Sequence, residues 1–258
     1  WDNAEVMREM MGAMDFWCGR GVDGFRIDAA SHLIKREGTT SKGLPETHQV
    51  LKAIRAHLEE NYPDVILLAE THESVELMQQ YFGNGDECHM VYHFGLMEQM
   101  WLALKRDDRN LAEKMVSASF TIPDNCQWAT FLRNHDEISL TTLDGAERKE
   151  LVDFFDPEHN YMFKKMGATS VRLASVFRGD RGKIVNALTL LYSLFGSPVM
   201  YYGDEIGMQN IELQAGIVDT RRYVRGVFDW KKAERQIADP HSLFHEVAAI
   251  IASAHKRL

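Results

Sequence analysis

Apolar runs alternate with amphipathic stretches along most of the chain, a pattern typical of a parallel α/β sheet. Strand-like runs lie near 23–28, 65–70, 90–94, 129–134 and 198–202. The second run is continuously apolar, as expected for a strand that is buried on both faces. Because helical segments separate these runs, the order predicts parallel strands that are joined by helical crossovers.

The helical segments are predicted from apolar residues at intervals of three and four. They cover 3–19, 44–61, 73–82, about 96–117, 184–195 and a final stretch near 241–257. In the first helix Val6, Met10, Met14 and Trp17 share one face, which we expect to pack in the core. Residues 139–181 are polar and irregular, and predict a long excursion that carries a helix or two.

Acidic residues follow four of the five strands. They are Asp28, Glu70, Asp136 and the pair Asp204/Glu205. In a (β/α)8 barrel, the carboxyl ends of the strands carry the active site. A doubly wound sheet also binds ligands there, but its GxGxxG loop and the GxxxxGK[ST] loop are both absent from the sequence. The barrel is therefore favoured, and five strands predict a partial one.

Asp28 and Glu70 differ in their predicted surroundings. Arg26 and Asp28 are two residues apart on a strand, so their side chains point the same way, and the guanidinium favours an ionised carboxylate. That arrangement suits a carboxylate nucleophile. Glu70 ends an apolar run with no adjacent cation in the sequence, so we expect burial to raise its pKa and keep it protonated.

Together the acids predict a retaining glycoside hydrolase or transglycosidase. Retention needs a carboxylate nucleophile and an acid that donates and then recovers a proton. Asp136 follows Asn134 and His135, and a third acid suits a clamp on sugar hydroxyls in the transition state. One Asp at a strand end is more often a helix cap or turn former, but three at successive strand ends favour function.

Composition excludes several other classes. The 258 residues carry a formal charge of −9 and no clustered Lys/Arg tract, which argues against nucleic-acid and anionic-membrane partners. The hydrophobic content of 45% and mean hydropathy of −0.31 are those of an ordinary globular protein. Three dispersed cysteines predict free thiols in a reducing compartment, hence a cytoplasmic location.

Three ordered motifs resemble the α-amylase superfamily, whose members are retaining α-glycosidases and transglycosidases. The motifs are Asp23-Gly-Phe-Arg-Ile-Asp28, Leu68-Ala-Glu70 and Phe131-Leu-Arg-Asn-His-Asp136. Further segments are similar to the trehalose synthase branch of that family, which interconverts maltose and trehalose. They include Leu44-Pro-Glu-Thr-His48, Asp86-Glu-Cys-His-Met90, Ile122-Pro-Asp-Asn-Cys-Gln-Trp128 and Tyr201-Tyr-Gly-Asp-Glu-Ile-Gly-Met208.

The resemblance implies a role for each motif residue. Asp28 is then the nucleophile, Glu70 the general acid/base and Asp136 the transition-state stabiliser. The substrate-binding residues that it implies are Arg26, His32, His135, Glu137 and Arg225. Residues 1–258 correspond to a partial catalytic barrel, strands 4–8 with their helices; strands 1–3 and the C-terminal β-domain of the family are absent from this sequence.

The implied function is intramolecular transfer of glucose between maltose and trehalose by double displacement. Past residue 208 the chain departs from the trehalose synthase pattern, and Asp219-Thr-Arg-Arg-Tyr-Val-Arg-Gly-Val-Phe-Asp-Trp230 is more similar to sucrose-acting members. An α-amylase, an α-glucosidase or a sucrose-acting enzyme is therefore the alternative. A non-catalytic carbohydrate-binding relic is the alternative from another class. The expected partners are small α-glucosides such as maltose, trehalose or sucrose.

No cofactor and no metal ion is expected. Lys35 stands where the resembling group tends to offer a carboxylate to calcium, so the resemblance does not imply a calcium site here. His89 and His93 are four residues apart, about 13 Å on a strand, which is too far for one ion. Packing or sugar contact explains them better.

Overall fold

The computed structural model describes residues 1–119, 121–164 and 167–256. The chain divides into two compact units. The first unit comprises Trp1–Phe94 and Ala118–Ala129, and the second comprises Gly95–Ser117 and Thr130–Leu258.

The described residues form the following strands and helices. The strands are β1 (Gly24–Ile27), β2 (Ile66–Ala69), β3 (Met90–Tyr92), β4 (Gln127–Phe131), β5 (Met162–Phe163), β6 (Ala168–Thr169) and β7 (Ser197–Val199). The helices are α1 (Ala4–Cys18), α2 (Pro45–Asn61), α3 (Val75–Gln79), α4 (Phe94–Arg106), α5 (Asn110–Ser119), α6 (Gly145–Phe155), α7 (Leu173–Val176), α8 (Arg181–Ser193), α9 (Trp230–Ala238) and α10 (Leu243–His255). Over the described residues, none of these helices has the length and apolar character to span a bilayer.

The five strands that the sequence predicts form one sheet in the order β1-β2-β3-β4-β7. Neighbours among the first four pair in parallel, so each connection must cross over through a helical segment. The strand prediction and the parallel α/β class are therefore confirmed. Strands β5 and β6 form a separate antiparallel pair within the excursion, which the sequence analysis did not predict.

Strand β2 is less uniformly buried than its apolar sequence predicts. Leu67 and Ala69 are fully buried, whereas Ile66 is 41% exposed. Successive side chains of a strand point to opposite faces, and here only the face of Leu67 and Ala69 lies wholly in the core. The expectation of complete burial on both faces is therefore wrong for Ile66.

Helix α1 buries a different face from the one that we predicted. Asn3 caps the helix by accepting a hydrogen bond from the Glu5 amide at 2.9 Å. Val6, Met10 and Trp17 are exposed by 40–51%, so the prediction that they pack in the core is wrong; Met14 alone of the four is buried. The better-covered stripe is Met7, Met11, Met14 and Cys18. Because methionines occur at 7, 10, 11 and 14, spacing alone fits either stripe.

Several boundaries and elements also differ from the prediction. Strand β4 ends at Phe131 rather than Asn134, because the chain turns where the Asp136 amide donates to Asn134 Oδ1 at 2.9 Å. Helix α9 was missed because it is polar and buries only Ala233. The last helix begins at Leu243, and residue 257 of its predicted span lies outside the described residues.

The three cysteines carry free thiols, as predicted. Cys88 and Cys126 are buried and Cys18 is partly buried, and none forms a disulfide. Burial raises the pKa of the Cys126 thiol, which keeps it protonated and unreactive at neutral pH.

Arg172 connects two loops of the second unit. Its guanidinium is fully buried and donates to the carbonyl oxygens of Met208 at 3.2 Å, Val224 at 2.7 Å and Tyr202. Asp204 lies 3.6 Å away and is itself buried, and burial raises its pKa to about 6 although Arg133 and Arg172 oppose the rise. The loops after β7 and around residue 224 are thus held by one side chain.

Replacing Arg172 with methionine is expected to destabilise the protein severely. The variant leaves three carbonyl oxygens without their donor, two of them in buried hydrogen bonds, and removes a charge partner of Asp204. Losing one partner of a buried ionic group costs about 3–5 kcal/mol of unfolding free energy, measurable by urea denaturation. Arg235→Met on the exposed face of α9 is the control and is expected to change stability by about 0.5 kcal/mol or less. Equal effects of the two substitutions would contradict the role of Arg172.

His93 follows β3 and is 1% exposed. Its Nε2 lies 2.8 Å from Ser119 Oγ, and its ring packs 4.3 Å from that of Trp128. Burial lowers the pKa of His93 to about 3, from an ordinary value near 6.5. The histidine is therefore a neutral core residue, as the packing interpretation predicted.

This buried histidine predicts acid sensitivity. Below pH 6.5 the unfolded chain binds a proton that folded His93 does not bind until the pH approaches 3. Stability from this residue is present above pH 6.5 and is lost by about 1.4 kcal/mol per pH unit as the pH falls. His93→Gln should flatten the pH dependence of the unfolding free energy between pH 7 and 5. Exposed His241→Gln should leave the slope unchanged; a wild-type slope in His93→Gln would refute the argument.

Candidate active site

The pairing of β1 with β2 places Asp28 beside Glu70. Ile27 is in register with Ala69, the last paired positions of the two strands. The ladder continues past them, since the Glu70 amide donates to Ile27 O at 3.1 Å and Glu70 O accepts from the Ala30 amide at 2.9 Å. Neighbouring strands lie about 4.8 Å apart. The backbone alone therefore brings both carboxylates to one edge of the sheet.

One guanidinium bridges these two carboxylates. Arg26 Nη1 contacts Asp28 Oδ1, and its Nη2 contacts Glu70 Oε1. Burial disfavours the Arg26 cation, but the charges of Glu70 and Asp28 outweigh that effect and raise its pKa. Asp28 is 81% exposed whereas Glu70 is only 17% exposed. Asp28 is thus open to a substrate, and Glu70 is partly enclosed.

The expectation that Glu70 has no adjacent cation is wrong, because Arg26 reaches it from the neighbouring strand. The sequence could not reveal this contact, since it depends on the register of β1 against β2. Because Arg26 contacts Glu70, the absence of a neighbouring cation no longer supports a proton-donor role for this residue. The position of Glu70 beside Asp28 is the remaining support for that role.

A buried network that the sequence analysis missed holds the segment after Glu70. Glu73 Oε2 accepts from Thr71 Oγ1 at 2.8 Å and from the Tyr81 hydroxyl at 3.0 Å. Lys42 lies 3.5 Å from the other oxygen and donates to His72 O at 2.9 Å. Burial and the charge of Glu73 raise the pKa of Tyr81, so its hydroxyl stays a hydrogen-bond donor. Tyr81 is 1% exposed, and only its hydroxyl could have indicated this role in the sequence.

His32 lies at the end of the short helical turn after Asp28. Its Nδ1 is 2.8 Å from Ser41 O, and the ring is exposed. This contact holds the ring against residues 38–43. Its predicted role in substrate binding stays a prediction.

In the second unit, Asp136 is surrounded by basic side chains. Arg225 Nη2 lies 2.5 Å and Arg221 Nη1 lies 3.3 Å from Asp136 Oδ1. His135 Nε2 is 3.3 Å from the other oxygen of Asp136, Oδ2. Arg225 also donates from Nε to His135 O at 2.8 Å. Arg225 was predicted to contact sugar, and here it contacts Asp136.

Arg221 is the residue of this cluster that the sequence analysis did not single out. It also binds both oxygens of Asp219, at 2.9 and 2.7 Å. This contact lowers the pKa of Asp219 to about 2. The arginine-rich segment 219–225 is the sequence feature that could have indicated Arg221. Only the fold shows which arginine contacts which acidic residue.

Glu137 differs from its neighbour Asp136. Its Oε2 is buried and has no hydrogen-bond partner among the described residues. Burial raises the pKa of Glu137, and the charge of Asp136 adds to that effect. An unsatisfied buried oxygen is costly and favours a bound donor such as a sugar hydroxyl.

The structure thus assembles the predicted residues into two groups. Arg26, Asp28 and Glu70 belong to the first unit, as does His32, whereas His135, Asp136, Glu137 and Arg225 belong to the second. Over residues 1–119, 121–164 and 167–256, no group of three or more His, Cys, Asp or Glu side chains could hold a metal ion.

Comparison with known proteins shows which family this chain resembles. The family model of the alpha amylase catalytic domain matches residues 1–171. Trehalose synthase from Thermus thermophilus is 39% identical over 246 residues, which are 95% of this chain and 25% of that protein. Trehalose synthase/amylase TreS from Mycobacterium tuberculosis is 41% identical over 217 residues, which are 82% of this chain and 35% of that protein.

The fold comparison agrees. The crystal structure of sucrose 6F-phosphate phosphorylase from Thermoanaerobacter thermosaccharolyticum superposes with a TM-score of 0.80 at 18% identity, covering 98% of this chain and 52% of that one. The chain spans about a quarter to a third of the length of the two curated relatives. These matches confirm a partial (β/α)8 barrel, and the chain belongs to the alpha-amylase catalytic domain family.

Proposed function

We propose that the chain carries the catalytic carboxylates of a retaining enzyme that acts on small α-glucosides. The observation that carries the proposal is the bridging of Asp28 and Glu70 by Arg26 at adjacent strand ends. Retention needs two carboxyl groups about 5–5.5 Å apart. The in-register positions of these residues, at the interstrand spacing of about 4.8 Å, support that separation.

In the proposed reaction Asp28 attacks the anomeric carbon while Glu70 protonates the leaving oxygen. Glu70 then takes a proton from water or from a sugar hydroxyl, which displaces Asp28 and releases the product. Arg26 contacts both carboxylates and holds them in place. Asp136 supplies negative charge and hydroxyl contacts that strengthen in the transition state.

The proposed reaction is the intramolecular interconversion of maltose and trehalose. Of the two curated relatives named above, one is called trehalose synthase and the other trehalose synthase/amylase. In a mutase, the released glucose stays in the site and attacks again through another hydroxyl, so exclusion of water decides between isomerisation and hydrolysis. The three free thiols favour a reducing, cytoplasmic location for this enzyme.

A hydrolase or a sucrose-acting enzyme is the second candidate. The segment Asp219–Trp230 favours it, because its arginines and its Phe228-Asp229-Trp230 ending depart from the trehalose synthase pattern. The family match ends at residue 171, before this segment. A non-catalytic carbohydrate-binding protein is the remaining alternative.

The substrate test uses maltose, trehalose and sucrose. The polypeptide is assayed both as these 258 residues and in its full genomic reading frame. Trehalose formed from maltose supports the mutase, glucose alone supports a hydrolase, and consumption of sucrose supports the second candidate. If neither form turns over any of the three substrates, the enzyme proposal fails.

The two carboxylates are expected to respond differently to amide substitution. Asp28→Asn removes the nucleophile and should abolish turnover of every substrate. Glu70→Gln should lower kcat on maltose by about 10²–10⁴-fold, but much less on an aryl α-glucoside whose leaving group needs no proton. Exposed Asp64→Asn is the matched control and should retain activity. Equal losses of Glu70→Gln on both substrates would reject the acid/base role.

A further inference from the structure

The loop from Gly216 to Arg225 carries three arginines in five positions, and their charges are not equally balanced. Arg221 pairs with Asp219, and Arg225 pairs with Asp136 at 2.5 Å. The Arg222 side chain makes no hydrogen bond, ion pair or ring contact with any residue in the described ranges. It is therefore the loop's unbalanced positive charge.

Although its side chain lacks a partner, the backbone of Arg222 is fixed. Its amide donates to Asp219 O at 3.2 Å, and its carbonyl accepts from the Arg225 amide at 3.2 Å. These bonds belong to the short helical turn Thr220–Val224, whose Val224 carbonyl is held by buried Arg172 at 2.7 Å. The cation is thus presented from a rigid segment, which reduces the ordering cost of binding a ligand.

Arg222 borders a cavity of about 420 Å³, which lies wholly within the second unit. Its lining consists of Gly216, Ile217, Val218, Asp219, Arg222 and Arg225. Pockets of about 300–1,000 Å³ hold small molecules. Arg221 binds both oxygens of Asp219, so that acid is already neutralised. The remaining free charge on the wall is positive.

We propose that this cavity binds the phosphate or carboxylate group of a small anionic sugar derivative, or inorganic phosphate itself, with Arg222 as its main cationic contact. A guanidinium matches such groups because two parallel N–H donors meet two oxygens. Ile217 and Val218 offer apolar surface to the carbon frame of the ligand. Arg222 is exposed, and a neutral disaccharide offers no charge to pair with it.

The cavity adjoins the acid cluster of the same unit. Arg225 lines it and also contacts Asp136. Under the proposed function, on which this step alone rests, the bound anion would be an acceptor for the glucosyl group or a part of the substrate. The binding site itself does not depend on turnover.

Arg178 offers a matched comparison. It is exposed in the second unit and its side chain also lacks a partner among the described residues, but it lines none of the described cavities. Substitution of an ordinary solvated arginine such as Arg178 should leave anion affinity unchanged. Substitution of a ligand-binding arginine should lower it.

The test is an equilibrium titration of the 258-residue chain at constant ionic strength. The probes are inorganic phosphate, glucose 6-phosphate, glucuronate and neutral maltose. Their binding is measured by calorimetry and, for the two phosphates, also by ³¹P NMR. We expect saturable binding of at least one anion, which Arg222→Gln weakens about tenfold or more and Arg178→Gln leaves unchanged. Arg222→Lys keeps the positive charge but lacks the two parallel N–H donors of the guanidinium, and should bind the anion with intermediate affinity.

Each outcome decides the proposal. Binding of inorganic phosphate identifies the free anion as the ligand class, whereas binding of glucose 6-phosphate or glucuronate alone identifies a substituted sugar. No saturable binding of any anion, or equal affinity in Arg222→Gln, overturns the site. Since binding is read without turnover, failure of this proposal and failure of the enzymatic one are distinguished.

Discussion

The contact of one arginine with two carboxylates organises the first unit. Arg26 can reach both Asp28 and Glu70 only because β1 and β2 pair in parallel and in register, so that both strands end together. Two carboxylates at this spacing would repel each other without a cation between them. The guanidinium makes the arrangement stable, and the rigid strand ends make it reproducible. The relative position of the two carboxylates is therefore set by the pairing of these strands.

In the second unit, arginine side chains also hold an acidic residue in place, but they lie on loops rather than on a strand. Arg172 is buried among carbonyl oxygens and fixes the segment that leads to Arg225. Arg225 and Arg221 in turn hold Asp136. A buried guanidinium with several acceptors cannot move without leaving them unsatisfied. The position of Asp136 therefore depends on how the loops pack around Arg172.

The sequence predicted the elements that depend on local pattern and missed what depends on register. Five strands and their acids followed from apolar runs and motif order, because the period of a buried strand is visible in one dimension. The contact of Arg26 with Glu70 lies across 44 positions and depends on pairing. The buried face of α1 was wrong because its methionines fit two stripes equally well. The Glu73–Tyr81 contact and the arginine partners of Asp136 likewise required the fold.

In the proposed reaction, Asp28 becomes covalently attached to the sugar. The most direct measurement is to treat the active full-length protein with 5-fluoro-α-glucosyl fluoride and to locate the added mass by peptide mass spectrometry. We expect one glucosyl adduct, on the peptide that contains Asp28, and recovery of activity as the adduct turns over. A catalytically active protein that is labelled on another residue, or that yields product of inverted anomeric configuration, would contradict it.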